Sequence, residues 1–144
     1  HGTAAVALGE PLSLRAFVPR GPVTPTEALA DALMARLRDV VPLVPVPLVA
    51  HALLEEGPLD TVGLAAALED RLRRLRGTEV EAPARTPADL VRDGLAVLVR
   101  RRLVVETDGR WQPVEAERPV LAYYARSIAH HFAVAEPVAA AAKQ

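Results

Sequence analysis

The chain reads as mainly α-helical with one β-hairpin, preceded by a strand whose sheet belongs to a domain that it does not contain. Three observations predict this. Leucines recur at helical spacing through several segments that open on capping residues or proline and close on glycine or proline. Residues 103–114 hold two short runs joined by Asp108-Gly109, the dipeptide that supplies the positive φ angles of a tight hairpin turn. Residues 3–8 are an apolar run ended by Gly9 and Pro11. That is a strand signature without a partner, so it needs a sheet from elsewhere. The domain reading follows: residues 1–19 end an upstream domain, and residues 20–144 form the helical domain.

The elements are justified in order. Residues 20–23 are a Gly/Pro linker. Thr24-Pro25-Thr26-Glu27 then starts a helix, with Thr24 as cap and Glu27 closing a capping box. Leu29, Leu33, Leu37 and Val40 share one face, predicted to point inward, and Pro42, Pro45 and Pro47 stop that helix. A second helix spans roughly residues 48–56, ended by Gly57-Pro58. Asp60 caps a third, with Leu64, Leu68, Leu72 and Leu75 inward and Arg71, Arg73, Arg74 and Arg76 on its outer face; Gly77 ends it. Thr86-Pro87-Ala88-Asp89 opens a fourth helix, which runs to about residue 102 with Leu90, Val91, Leu95 and Leu98 inward. The hairpin follows, with Pro113 marking an edge strand. Arg118-Pro119 opens a terminal helix over residues 119–136, and Leu121, Tyr124, Ile128 and His131 share its inner face. The Ala-rich end is expected to fray.

Composition sets limits. At 144 residues, with 51% hydrophobic and 24% charged residues, the chain can bury a real core and is not a disordered tail. Aromatics are 3%, so the core must be Leu, Val and Ala, which favours packed helices. A net charge of −1 gives no global drive toward nucleic acid or anionic lipid. The absence of cysteine excludes disulfides and thiolate chemistry. A start on His1 instead of Met suggests a fragment. The apolar run after Pro119 is interrupted by Arg126, His130, His131 and Glu136, so it reads as a buried or interfacial helix and not a membrane span.

The titratable residues give little catalytic chemistry. His51 is followed five residues on by Glu56, and His131 by Glu136, but helical pairs at this range are common and a structural role is favoured. His130 and His131 point about 100° apart on a helix and cannot easily chelate one ion. His131 is expected to pack with Tyr124 and Ile128, and His130 to bond a carbonyl or carboxylate. No metal and no cofactor is expected. Glu10 either lines a cleft or holds a turn, and its lack of a partner in sequence favours the turn. Arg71, Arg73 and Arg74, like Arg100, Arg101 and Arg102, could contact an anion; both groups sit in last turns, where positive charge already suits the helix dipole.

Two segments carry a family resemblance: Val6-Ala7-Leu8-Gly9-Glu10-Pro11-Leu12-Ser13-Leu14, and the stretch from Pro119 through Tyr123-Tyr124 and Ile128 to His130-His131-Phe132. In this order they resemble the C-terminal region of bacterial membrane-associated glycerol-3-phosphate 1-O-acyltransferases. Gly9, Glu10, Pro11, Tyr123, Tyr124 and His130 are the family-motif positions, and the match departs mildly at residues 125–127. The resemblance implies an enzyme that transfers an acyl group from acyl-carrier protein or acyl-CoA to the 1-hydroxyl of sn-glycerol 3-phosphate, at the cytoplasmic face of the inner membrane. It implies that the opening strand is the last strand of a missing α/β acyltransferase domain, which lies upstream and bears the family's His-x4-Asp and Phe-Pro-Glu-Gly motifs. Neither motif occurs here, so this chain has no catalytic residue and is expected to be structural or supporting.

A second reading rests on element order. Helices two to four followed by a hairpin have the order of a winged helix-turn-helix. Such a module would bind protein or nucleic acid; the net charge, with Asp93 and Gly94 in the fourth helix, makes nucleic acid unlikely. A third reading, membrane docking through the last helix, is weaker because alanine dilutes its apolar face.

Overall fold

The computed structural model describes residues 6–17, 25–76, 78 and 80–133. It is mainly helical with one hairpin, as the sequence predicts. The order is α1 (Leu14–Phe17), α2 (Pro25–Asp39), α3 (Pro45–Glu56), α4 (Thr61–Arg74), α5 (Pro87–Arg100), β1 (Val104–Thr107), β2 (Arg110–Pro113) and α6 (Arg118–Ala129). A 3₁₀ turn, Glu115–Glu117, leads into α6.

The central helix is α3, which packs against α4, α5 and α6. Leu48, Val49, Leu53, Leu64, Leu68, Leu90, Leu98, Leu121 and Ile128 are fully buried among these helices. The core is aliphatic, as the shortage of aromatics requires. Two helices meet unusually closely at Gly94. A Cβ there would lie 2.6 Å from Val49 Cγ2 and 2.8 Å from the Pro45 carbonyl oxygen, so the glycine allows α5 to rest on the start of α3.

Most caps stand where expected. Asp60 accepts a hydrogen bond from the Gly63 amide at 2.6 Å, and Thr86 accepts from the Asp89 amide at 3.2 Å. Asp108 and Gly109 take φ of 51° and 74° and join two antiparallel strands. Leu59, between α3 and α4, forms an isolated antiparallel bridge to Trp111, whose indole N–H donates to Thr61 Oγ1. Helix, bridge, helix, helix, hairpin is the winged-helix order.

Several expectations are corrected. The second predicted helix starts three residues early: Pro45 and Pro47 lie in its first turn, where an amide N–H has no intrahelical partner to lose. The fourth ends at Arg100, and Arg102 turns left-handed at φ 59°. Residues 6–8 join no sheet among the described residues, whose two strands pair with each other; the strand expected there calls for a sheet from the upstream domain. The first helix does not bury its predicted face: Leu33 and Leu37 are exposed while Leu29 and Val40 are half-buried. Expectations for residues 1–5, the 20–23 linker, the Thr24 cap, the Gly77 stop and residues 134–144 lie outside the described residues. Among the described residues no helix is long and apolar enough to cross a membrane.

Candidate functional site

The ends of the described chain meet at the end of α2. The last carbonyls of a helix have no intrahelical partner and must find one elsewhere. Two histidines bond carbonyls here, one in the last turn of α2 and one just past it. The His130 Nε2–H donates to the Arg38 carbonyl at 2.5 Å, and the His131 Nε2–H donates to the Val41 carbonyl at 2.9 Å. On the other side, Arg36 Nη1 donates to the Glu10 carbonyl at 2.6 Å. Gly9 passes close to Val40, where an added Cβ would approach Cγ1 to 2.9 Å. A cleft of about 510 Å³ lies between, lined by Gly9, Glu10, Arg36, Asp39, Val80 and His131.

The two imidazoles lie 3.9 Å apart, centroid to centroid, yet each spends its Nε2 on a different carbonyl. Burial lowers the His130 pKa, and the neighbouring His131 lowers it further. The neutral donor form is therefore favoured. Among the described residues no group of three or more His, Cys, Asp or Glu is placed to hold a metal ion.

The other family-motif positions lie elsewhere. Tyr124 is half-buried and accepts a hydrogen bond at its hydroxyl from Arg101 at the end of α5. Tyr123 stands 75% exposed beside it, the two rings nearly edge to face. Thus Gly9 and Glu10 share a cleft with His131, His130 bonds α2 separately through the Arg38 carbonyl, and Tyr124 faces Arg101. Pro11 is exposed just beyond Glu10.

A second, larger cleft of about 850 Å³ opens beside α3 and α4, with His51, Glu55, Glu56, Asp70, Arg71 and Phe132 on its walls. Arg71 is not on the outer face as the sequence reading had it; it is buried. Its Nη1 donates to Glu56 Oε1 at 2.5 Å and to the Ala67 carbonyl at 3.0 Å, and its Nε donates to His51 Nδ1 at 3.2 Å. That bond requires His51 Nδ1 to be unprotonated, which puts the imidazole proton on Nε2. Burial, then the Arg71 charge, pushes the His51 pKa down. His51 and Glu56 are therefore not a dyad: a guanidinium stands between them. Without a carboxylate to orient it, His51 lacks the support that makes an imidazole a general base.

Arg73 and Arg74 are both paired with Asp70, at 3.4 and 2.5 Å. Arg100, Arg101 and Arg102 have no carboxylate within 4.0 Å among the described residues. A sequence signal for the buried Arg71 did exist. Leu64, Leu68, Arg71 and Leu75 follow the i, i+4, i+7, i+11 spacing of an inward stripe. The histidine-to-carbonyl bonds join residues about ninety positions apart and have no local signal.

The whole chain, residues 1–144, matches the family model of the glycerol-3-phosphate acyltransferase C-terminal region. The chain belongs to this family. Its parent is accordingly a glycerol-3-phosphate acyltransferase, and the contacts that Glu10 and His130 each make with α2 lie within this region. No curated protein and no solved structure matches the chain.

Proposed function

We propose that this chain is the supporting, non-catalytic C-terminal region of its acyltransferase. The parent would move an acyl group from acyl-carrier protein or acyl-CoA to the 1-hydroxyl of sn-glycerol 3-phosphate, forming lysophosphatidic acid for phospholipid synthesis. Catalysis would belong to the upstream domain, working at the cytoplasmic face of the inner membrane. One observation carries the reading: the family match spans the chain, yet no histidine among the described residues bonds a carboxylate. Acyl transfer to a hydroxyl needs a base to take its proton, and an imidazole held by a carboxylate is the usual one. In this chain two of the three described imidazoles bond backbone carbonyls and the third bonds an arginine.

Two assays test the reading. The 144-residue chain, given acyl-CoA and sn-glycerol 3-phosphate, should release no free thiol; turnover would overturn it. Removing residues 120–144 from the intact enzyme strips out most of α6 and both carbonyl-bound histidines. The melting temperature should then fall by several degrees; an unchanged value would contradict a supporting role.

The winged-helix order, with its Leu59–Trp111 bridge, favours a binding shape. In that fold the helix before the wing reads DNA. Here that helix is α5. It carries Asp89 and Asp93, which pair with Arg92 and, for Asp93, also Arg85. Such a face suits protein contact more than phosphate contact. DNA retardation that weakens steeply with salt would favour nucleic acid instead.

A further inference from the structure

The apolar surface of this molecule is distributed unevenly. Eleven large apolar side chains stand exposed among the described residues, and six of them precede residue 40: Val6, Leu8, Leu14, Leu33, Met34 and Leu37. None of the nineteen buried hydrophobic residues does; among the described residues the core begins at Leu43. Among the described residues, α2 packs extensively against no other element.

The arrangement on α2 is specific. Ala30, Leu33, Met34 and Leu37 follow the i, i+3, i+4, i+7 spacing of an inward face, and all four are exposed. The sides that are half-buried are Ala28, Leu29 and Ala32. The helix therefore half-buries two alanines and Leu29 and leaves Leu33, Met34 and Leu37 facing solvent. A face with the pattern of a buried stripe marks an interaction surface.

We infer that α2 and the lead-in over residues 6–17 form the surface on which the upstream acyltransferase domain seats. This rests on the reading that this chain follows that domain in one polypeptide. Continuity of the chain identifies the occupant. The upstream domain joins on the residue 6 side, and the Arg36 bond to the Glu10 carbonyl ties that lead-in to α2. The exposed apolar residues before position 40 thus lie on the elements nearest the incoming domain in sequence. In packing terms, the boundary between the two bodies falls at residues 40–42 and not near residue 19.

Thiol labelling of the intact enzyme tests the inference, since the 144 residues contain no cysteine. Leu33→Cys, Leu37→Cys and Val62→Cys would be alkylated separately in the folded enzyme, with the modified peptide followed by mass spectrometry. Val62 is 78% exposed on α4 and serves as the open reference. Labelling at positions 33 and 37 should be at least tenfold slower than at 62. Equal rates overturn the inference. Protection that disappears on dilution also overturns it, since the cover would then be a second copy. Amide exchange over residues 30–37 in the unmodified enzyme guards against a variant that misfolds, and fast exchange there counts against the inference. The broader reading fails differently: deletion of residues 41–144 would leave the enzyme's stability unchanged, whatever the labelling rates.

Discussion

Residues 6–40 and residues 43–132 follow the same rules of helix building and meet opposite fates. Both carry apolar residues at helical spacing. In the second region those residues are buried: Leu64 and Leu68 on α4, Leu90 and Leu98 on α5, Leu121 and Ile128 on α6. In the first, Leu33, Met34 and Leu37 are exposed at 44, 56 and 57%. The amphipathic pattern specifies that a face is meant to be covered. It does not specify by what, and only in the second region is the cover part of the same chain.

The comparison can be broken at several points. The largest effect belongs to Leu98→Ala, which empties a fully buried site; it should cost about 2–5 kcal/mol in denaturant unfolding of this chain. Gly94→Ala comes next. Its Cβ would press on the Pro45 carbonyl and Val49, forcing α3 and α5 apart, at about 1–3 kcal/mol by the same measurement.

Acid should act on the packed region too. The His51 pKa is lowered from 6.5 in the folded chain, first by burial and then by Arg71, so the unfolded chain binds the extra proton more readily. Stability from keeping His51 neutral is complete above pH 6.5 and is lost as pH falls through the lower folded value. His51→Gln keeps an acceptor for Arg71 and should flatten the acid limb of a stability–pH curve. His130 shifts in the same direction, so some slope should remain. The smallest effect should be Leu37→Ala, within about 0.5 kcal/mol in the 144-residue chain, because little packing is lost at an exposed site. A loss as large as that of Leu98→Ala would erase the contrast between the two regions.

Much of the second region was legible in the sequence because its signals are local. Asp60 and Thr86 cap the helices they were expected to cap, and Asp108-Gly109 turns the hairpin. Where the reading failed, a local rule met a tertiary one. Pro45 and Pro47 read as stops because proline breaks a helix interior, yet at the first turn they help to start one. Arg71 was placed outside on its charge, although its spacing put it inside, where Glu56 and His51 engage its polar atoms. At the candidate site, the resemblance marked Gly9, Glu10 and His130 without indicating that Glu10 and His130 both bond α2. The histidine bonds depend on carbonyls at residues 38 and 41, which every sequence contains and none advertises.

The histidine bonds to those two carbonyls also have a mechanical consequence. They fasten residues 38 and 41 to the end of α6 and bypass the ninety or so residues between. A displacement arriving through the Glu10–Arg36 contact would reach the C-terminal helix directly, without first being transmitted through α3, α4 and α5. The first strain on this region from its upstream neighbour would thus be shared by both ends of the chain at once, like a load taken by a buckle and not by the strap.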